Sequence, residues 1–387
     1  MEALSIYRQI YNDLLQKISS GHYEGGSRIP SENELSLAYG VSRITSKRAL
    51  DLLAEQGIII RYPGKGSFVN SNYLEGSNGS LSRSIGFIIP DFSDAFGTRL
   101  IYGVEDNCKA LGYQLLLRRT RDRAQEEEEA LRDLSHAAGV LLIPVHGELY
   151  NSELLKMIID KRPLVFVDRK MQGLAAPTVS TNNTEAAETG TAHLFHLGHR
   201  NIAFFSGPVH HNSTVEDRRQ GYIQAHSKFA IRHNPAFMCQ DLSTAWTGPY
   251  YSSESVSKDV DIAIKHLKKH PEISAAFASE YIISLIIKDA AEALGKKIPK
   301  DFSVIGFDSP PSIAAVPPIT HLYQDEYAMG KESVEILHRL ITQSPSLQNP
   351  PAPAQETLIP AKLISGASTG PKIAAKAKQN GKQNENN

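Results

Sequence analysis

Residues 28–50, RIPSENELSLAYGVSRITSKRAL, constrain the fold of this chain more than any other stretch. Ser31 and Glu34 have the S-x-x-E spacing of a capping box, in which the two residues satisfy each other's backbone amides at the start of a helix. Gly40 supplies the left-handed backbone that ends such a helix, and Ser42 is placed to cap another one directly after it. The stretch therefore predicts two short helices joined by a tight turn.

The second of these helices is predicted to be basic on one face and apolar on the other. Arg43, Lys47 and Arg48 fall on the outer face, whereas Leu52 and Leu53 fall on the inner one. A short helix followed by a capped, basic helix is typical of a helix-turn-helix, whose second helix enters the major groove of DNA. The chain is therefore predicted to bind double-stranded DNA.

The overall charge of the chain gives no support to nucleic-acid binding by itself. The chain has 387 residues, too many for one typical domain, and a formal net charge of −1. Residues 1–70 contain eight Lys or Arg and seven Asp or Glu, so they are also nearly balanced. Any affinity for DNA must then come from the positions of the charges.

Several classes of protein are disfavoured by the sequence. Two separated cysteines, Cys108 and Cys239, favour a reducing compartment, and neither a signal-peptide pattern nor a membrane-length apolar run is present, so we predict a soluble, cytoplasmic protein. His210 and His211 have no further Cys or His cluster beside them. P-loop, G-x-S-x-G and nucleophile–base patterns are absent. We therefore expect no metal, no cofactor and no enzymatic activity.

Composition divides the chain into four regions. Residues 1–70 are predicted to be helical and to end in a hairpin. Residues 71–83, rich in Ser, Gly and Asn, are predicted to be a linker. Residues 84–365 alternate apolar strands with amphipathic helices, and the polar tail, residues 366–387, is predicted to be disordered.

The first region is predicted to be a winged helix. Ile6, Ile10, Leu14 and Ile18 recur every four residues and form one apolar stripe that can pack under the helix-turn-helix. After Gly57 the sequence IIIRY-PGKG-SFVN predicts strand, turn and strand. This wing carries Arg61 and Lys65 beside Gly66, where a glycine allows the backbone to approach DNA closely.

The third region is predicted to be an α/β fold with two lobes. Apolar strands are predicted at residues 85–90, 113–118, 139–144, 163–168, 202–207, 275–280 and 302–308. Helical patterns between them favour parallel sheets covered on both faces. Because ligands bind at the carboxyl ends of strands in such sheets, two lobes would enclose a ligand between them.

The first region resembles the GntR-type winged helix over about 63 residues. The matching residues are Tyr7, Ile10, Gly21, Arg28, Pro30, Ser31, Glu32, Leu35, Ala38, Val41, Ser42, Arg43, Thr45, Arg48, Ala49, Leu50, Leu53, Gly57, Gly64, Gly66, Phe68 and Val69. The family commonly has Arg where this chain has Lys47, which weakens any bidentate contact to guanine at this position.

The third region is similar to the effector domain of lac-repressor-type regulators, itself similar to periplasmic sugar-binding proteins. The matching segments are residues 85–97, 139–144, 165–169, 193–208, 217–222, 301–308 and 319–330. The combination resembles the arabinose-repressor subgroup. It implies a winged helix-turn-helix joined to a two-lobed, periplasmic-binding-protein-like α/β domain that senses a sugar.

The resemblance implies two principal ligand contacts. Arg218 corresponds to an arginine that binds sugar hydroxyls, and a guanidinium presents fixed donors suited to neighbouring oxygens. Its alternative is a surface ion pair with Asp217 or Glu216. Asp308, at a strand end, corresponds to a carboxylate that accepts hydroxyl protons, and its alternative is a helix cap.

Other ligand candidates are assigned less specifically. The loop after the first strand, with Asp91, Phe92 and Phe96, usually supplies a polar contact and an aromatic wall, although either phenylalanine could be core. The further candidates are Asp168 and Arg169, which could instead form a hinge salt bridge, Trp246, which could instead be structural, and Gln324, which could instead bridge backbone.

One departure from the family pattern affects the predicted ligand. The family often has Asn-Asp where this chain has Ser279 and Glu280. A longer carboxylate beside a small hydroxyl changes that wall of the site. This change permits an effector other than a plain pentose. Cationic or amino-bearing molecules are among the alternatives.

The DNA-contacting candidates lie on both helices of the pair and on the wing. They are Arg28, Ser31, Glu32, Arg43, Thr45, Lys47, Arg48, Lys65 and Gly66. The start of the first helix favours a phosphate because its backbone amides are unpaired. Arg48 could instead pair with Glu34 or Asp51.

Together these features predict a homodimeric, sequence-specific transcriptional regulator of the repressor type, controlled by a small carbohydrate-like effector. Operators with two half-sites require a two-fold dimer. Two alternatives are a GntR-type fusion to a pyridoxal-phosphate-dependent aminotransferase and a sugar-transport binding protein. The first would need a longer body with a Schiff-base lysine, and the second would need export.

Overall fold

A computed structural model of the chain describes residues 6–19, 22–70, 83–92, 96–145, 151–171, 173–208, 212–243, 252–308, 319–342 and 355–372. The chain divides into two compact units. One contains the helices and hairpin between Ile6 and Asn70, and the other contains most of the chain from Gly86 onward.

The first unit is the predicted winged helix. Its elements are α1 (Ile6–Ser19), α2 (Glu32–Tyr39), α3 (Arg43–Glu55), β1 (Ile59–Tyr62) and β2 (Gly66–Val69). The strands pair antiparallel, with Tyr62 opposite Gly66 across the turn. Ile10, Leu14 and Ile18 of the α1 stripe are fully buried against α3 and the hairpin. Burial of that stripe holds the two-helix motif in place.

Local capping fixes the geometry of α2 and α3, as predicted. The Ser31 hydroxyl accepts a hydrogen bond from the Glu34 amide at 3.3 Å, and the Glu34 carboxylate accepts one from the Ser31 amide at 2.6 Å. Gly40 has φ 62° and ends α2 in the left-handed conformation. Ser42 caps α3 by accepting a hydrogen bond from the Thr45 amide at 3.2 Å.

The second unit contains two six-stranded sheets and their helices. The strands are β3 (Ser84–Ile89), β4 (Gln114–Arg119), β5 (Gly139–Leu142), β6 (Leu164–Val167), β7 (Thr178–Thr181), β8 (Ile202–Phe205), β9 (Met238–Cys239), β10 (Ala275–Ala278), β11 (Ser303–Phe307), β12 (Thr320–Tyr323), β13 (Glu356–Ile359) and β14 (Lys362–Ile364). The helices are α4 (Thr98–Ala110), α5 (Ala124–Asp133), α6 (Ser152–Ile159), α7 (Asn183–His196), α8 (Ser213–Lys228), α9 (Ser253–Lys269), α10 (Tyr281–Ala293) and α11 (Glu326–Thr342).

The two sheets have the parallel topology expected of alternating strands and helices. The first sheet has the order β13-β7-β6-β5-β3-β4, and the second has the order β14-β12-β11-β10-β8-β9. The central strands are buried on both faces, which explains their continuous apolar sequences. Only β14 pairs antiparallel among the ladders determined for the second sheet.

The chain passes between the sheets at three places. It leaves the first sheet after Thr181, returns to it after Tyr323 through α11, and leaves it again after Ile359. Strand ends and crossovers thus lie close in sequence, so a ligand contact at a strand end can act on a crossover.

The prediction of a disordered tail from residue 366 is wrong for residues 366–372. The Ser368 hydroxyl donates to the Val304 carbonyl at 2.5 Å, and the Gly370 amide donates to the Ser303 hydroxyl at 3.1 Å. The Lys372 amide reaches the Leu197 carbonyl at 2.8 Å. Main-chain amides and the Ser368 hydroxyl, rather than apolar side chains, thus anchor the segment to β11 and to the end of α7. Residues 373–387 lie outside the described residues.

Removing residues 366–372 is expected to destabilise the second unit. A chain ending at Ser365 would lose these bonds and leave buried partners such as His199, which contacts the Gly370 carbonyl at 3.1 Å, without them. At about 1 kcal/mol for each hydrogen bond, the loss is about 3 kcal/mol. Urea unfolding should show this loss relative to a control chain ending at Lys372. Equal midpoints for the two chains would contradict the anchoring role.

Within the described ranges no helix is both long enough and apolar enough to cross a membrane. Cys108 and Cys239 are free and buried. Among the same residues no group of three or more His, Cys, Asp or Glu is arranged to hold a metal ion.

Candidate functional site

Several cations of the first unit are held by intramolecular partners. Arg61 of the wing donates hydrogen bonds to Asp51 of α3 and to Glu32 of α2, so it joins three elements. The Arg48 guanidinium lies 4.5 Å from the centre of the Tyr7 ring, rather than in the ion pairs considered from sequence. A contact of these side chains with DNA would have to replace or share those interactions.

Three of the DNA-contacting candidates are exposed cations that have no such partner among the residues the structure describes. Arg43 and Lys47 lie on α3, four residues apart, and Lys65 lies at the turn of the wing. No ion pair or hydrogen bond joins any of these three side chains to another residue that the structure describes. Residues four apart on a helix share a face, so Arg43 and Lys47 present two charges side by side.

The remaining DNA candidates are mostly engaged in local structure. Ser31 serves the cap of α2, and the Thr45 hydroxyl lies 2.9 Å from that of Ser42. Arg28 approaches Glu34 at 3.9 Å, and a Cβ added at Gly66 would come within 3.2 Å of the Arg28 side chain. Gly66 has φ 110°, which favours glycine at this point of the wing.

The second unit brings together charged residues from the ends of several strands. Asp168 and Arg169 directly follow β6 of the first sheet, and Glu280 and Asp308 follow β10 and β11 of the second. Arg218 reaches the same cluster from α8, and its charge acts on all three carboxylates. We define these five residues as the charge cluster.

Arg218 is the most firmly positioned member of the charge cluster. Only 4% of its surface is exposed. It donates from Nε to Asn183 Oδ1 at 2.8 Å and from Nη1 to the Ser279 carbonyl at 2.7 Å, and it lies 3.6 Å from the centre of the Phe307 ring. The alternative partners Asp217 and Glu216 pair with Lys170 and Arg219 instead.

Close packing of two helices places Arg218 next to Asn183. Gly221, one turn further along α8, faces the start of α7, and a Cβ there would lie 2.1 Å from the Thr184 carbonyl oxygen. Any larger residue would push the helices apart. This contact explains why a glycine follows Arg218 at this spacing.

Gln324 links Asp308 to the crossovers between the sheets. Its Nε2 donates to Asp308 Oδ1, and its Oε1 accepts from the Thr181 hydroxyl at 2.5 Å. Thr181 ends β7 where the chain first leaves the first sheet, and Gln324 lies where it returns. Among the described residues the Gln324 amide is bonded to side chains rather than to backbone, and it ties one crossover to the other.

Burial shifts the titration of the charge cluster. It raises the pKa of the Asp168 and Asp308 carboxyls above their usual range, although Arg218 opposes the rise in both cases. Burial also raises the pKa of Glu280 to about 7, and the neighbouring carboxylates add to that rise. A bound ligand that donates hydrogen bonds or carries positive charge would favour the ionised forms.

Asp168 and Asp308 share an unusual backbone conformation. Their φ angles are 63° and 70°, in the left-handed region that residues with a Cβ rarely adopt. Arg169 lies beside them, with Nε 3.6 Å from Asp168 Oδ2 and Nη1 3.3 Å from the Pro144 carbonyl. The position of Arg169 is compatible with both of its predicted roles, a hinge salt bridge to Asp168 and a contact with the ligand.

The described residues of the loop after β3 are held by three separate contacts. Asp91 accepts from Arg119 Nε at 2.8 Å, and the Phe92 and Phe96 rings meet edge to face with centres 5.7 Å apart. Buried Glu326 accepts from the Gly97 amide at 2.8 Å, which fixes the end of the loop to α11. Burial raises the pKa of Glu326 to about 7. Trp246 lies outside the described residues.

Three residues that the sequence did not single out contribute to these sites. Thr181 holds Gln324 and Asn183 holds Arg218, and their only sequence signal is the polar run TVSTNN, which spans β7 and the start of α7. Ile44 of α3 is 80% exposed. Its sequence signal was its position between Arg43 and Lys47 on the predicted basic helix.

Comparison with known proteins identifies both parts of the chain. Residues 6–69 match the gntR family of bacterial regulatory proteins, and residues 191–369 match the periplasmic binding protein-like domain. The arabinose metabolism transcriptional repressor of Geobacillus stearothermophilus is 24% identical over 352 residues, covering 88% of this chain and 93% of the relative. The ribose operon repressor of Bacillus subtilis is 27% identical over 271 residues, covering 68% and 76%.

A solved structure shows the same fold as the second unit. The LacI family transcriptional regulator of Enterococcus faecium, determined with bound ribose, matches with a TM-score of 0.57 at 21% identity and covers 75% of this chain and all of that one (100%). The chain thus joins a domain that matches the gntR family of regulatory proteins to one that matches the periplasmic binding protein-like domain.

Proposed function

We propose that this protein is a sequence-specific transcriptional repressor controlled by a small sugar-like effector. The observation that carries the proposal is the presence of two different sites in one chain. A capped helix of the first unit exposes cations that have no partner among the described residues, and the charge cluster, buried or half-buried, lies at the strand ends of the second unit. Relatives that match most of the chain include an arabinose metabolism transcriptional repressor and a ribose operon repressor.

The DNA-contacting surface is centred on α3 and the wing. Arg43 and Lys47 enter the major groove, where they contact base edges and phosphates. Lys65 at the wing contacts the backbone or the minor groove, assisted by Arg28. Arg61 and Glu32 support DNA binding indirectly, because their ion pair fixes the wing against the two helices. Arg48 packs on Tyr7 and has the same supporting role.

The effector is bound by the charge cluster. Arg218 donates to ligand oxygens from the part of its guanidinium that Asn183 and Ser279 do not use. Asp308, Asp168 and Glu280 accept hydroxyl or amine protons, and the acceptor excess suits a molecule that is rich in donors. Asp91, Phe92, Phe96 and Trp246 are further proposed contacts from the loops.

Coupling acts through the crossovers. A ligand that contacts Asp308 also acts on Gln324, and through Gln324 on Thr181 at the other crossover. The effector alters DNA binding only if it favours one arrangement of the two sheets over another. We further propose that the protein is a cytoplasmic homodimer, so that a change within each subunit alters the spacing of two DNA-binding units.

The proposed function is tested by measuring DNA affinity with and without candidate effectors. The full chain is used to enrich a binding site from random duplexes, and fluorescence anisotropy then gives the affinity in the presence of arabinose, ribose, cellobiose and their amino analogues. We expect at least one compound to change the affinity by about tenfold or more, the scale of a typical coupling free energy. Enrichment of a site whose affinity no small molecule changes would refute effector control.

A further inference from the structure

The recognition helix carries one large apolar side chain that none of the described residues covers. Ile44 is the second residue of α3, and 80% of its surface is exposed. Single exposed apolar residues are common and need no explanation alone. Ile44 differs because it lies in the first helical turn, the part of a recognition helix that faces base edges.

The surroundings of Ile44 leave few other side chains free to contact bases from that turn. The Ser42 hydroxyl and the Thr45 hydroxyl lie 2.9 Å apart and complete the cap. Ser46 is fully buried and donates to the Glu32 carbonyl at 3.0 Å. The other exposed cations near Ile44 are Arg43, Lys47 and Arg48. Arg48 packs on the Tyr7 ring, whereas Arg43 and Lys47 have no partner among the described residues.

Spacing on the helix makes Ile44 part of the same surface as those cations. Ile44 and Lys47 are three residues apart, so their side chains are neighbours on the helix. A cationic surface placed against a polyanion brings its apolar member into the groove as well. In the major groove the apolar group that a base pair presents is the 5-methyl of thymine.

We propose that Ile44 packs against a thymine methyl group and so selects a T·A pair at one position of the DNA site. The inference rests on the proposed function, because it requires α3 to lie in the major groove. Arg43 and Lys47 supply affinity through charge, and Ile44 supplies discrimination that charge cannot give. Uracil, which lacks only the methyl group, would then be read as a mismatch.

The test uses a DNA site enriched from random duplexes by the full-length protein. Each thymine of that site is replaced in turn by deoxyuridine, and affinities are measured for the wild type and for Ile44→Ala. One replacement should weaken binding of the wild type by about fourfold, as expected for loss of one buried methyl-sized contact. The same replacement should leave the affinity of Ile44→Ala unchanged, which is the signature of a direct pair in a double-mutant cycle.

Leu37→Ala serves as the matched control. Leu37 is an apolar residue of α2 that is 85% exposed, so the truncation is chemically similar but lies outside the first turn of α3. This variant should keep the full discrimination between thymine and uracil. Thermal unfolding should be the same for both variants and the wild type, because neither side chain is packed.

The outcomes separate the two proposals. If no duplex is enriched, the proposed function fails and the role of Ile44 fails with it. If a site is enriched but no deoxyuridine replacement weakens binding, or if Ile44→Ala discriminates as the wild type does, only the role of Ile44 is refuted.

Discussion

Replacement of both Arg43 and Lys47 by alanine is expected to lower the affinity for the DNA site by about 30-fold or more. Each contact of such a side chain to base edges is worth about 1–3 kcal/mol, so the loss of two costs at least about 2 kcal/mol of binding free energy. The fold should be unaffected, because both side chains are exposed and neither has a partner among the described residues. Fluorescence anisotropy gives the affinity, and circular dichroism checks the fold.

Salt dependence distinguishes direct contacts from a general effect of charge. Losing two phosphate neutralisations should lower the slope of log affinity against log salt by about two. The control is Arg8→Ala with Lys17→Ala, which removes the same net charge from α1. If that control loses as much affinity as the α3 variant, the placement of charge on α3 is not what binds DNA.

Arg218→Met is expected to abolish the response to effector and to destabilise the protein by about 3–5 kcal/mol at pH 8. The substitution removes the guanidinium N–H groups that donate hydrogen bonds to Asn183 Oδ1 and to the Ser279 carbonyl oxygen. It also removes a positive charge that favours ionisation of three buried carboxyls. The affinity for DNA without effector should stay near that of the wild type, because α3 is unchanged.

The stability loss in Arg218→Met should depend on pH with a definite sign. The carboxyls of the charge cluster have raised pKa values in the folded protein, so the folded state holds protons that the unfolded state has already lost. Stability therefore falls as pH rises from the unfolded pKa towards the folded one. Without Arg218 the pKa values of these carboxyls in the folded protein rise further. The difference in free energy of unfolding between Arg218→Met and the wild type should therefore be small at pH 5 and large at pH 8.

Arg219→Met is the matched control for this prediction. Arg219 is the next residue of α8, but it pairs with Glu216 near the surface, where such a pair contributes little. Urea unfolding should show a loss below about 1 kcal/mol, and the effector response should persist. An Arg218→Met protein that responds to effector as the wild type does would exclude Arg218 from the effector site.

Apolar strands of this fold could be predicted from sequence, but polar ones could not. The run PLVFVD predicted β6 and FSVIGFD predicted β11, because strands covered on both faces have continuous apolar sequences. The strand β7, TVST, is equally buried yet contains three hydroxyl residues, whose groups can bond within the protein. An edge strand such as β13 shows half-exposed side chains and gives no periodic signal.

Positions of the candidate sites were predictable, whereas their internal bonds were not. Arg218 and Asp308 were identified from strand ends and family resemblance. The partner of Arg218 is Asn183, 35 residues away, and the partner of Gln324 is Thr181, 143 residues away. Such pairs depend on how helices and crossovers pack. Residues 366–372 show the same limit, because their backbone bonds have no counterpart in composition.

The left-handed backbone at Asp168 and Asp308 has a consequence for how such a protein tolerates mutation. Glycine would adopt these conformations with less strain than aspartate, by about 1 kcal/mol at each position. Selection for stability alone would thus favour replacement of both aspartates by glycine. The resulting protein would be more stable but would no longer respond to an effector. Retention of both aspartates in a lineage would be a record of selection for sensing a metabolite, independent of any selection for thermal robustness.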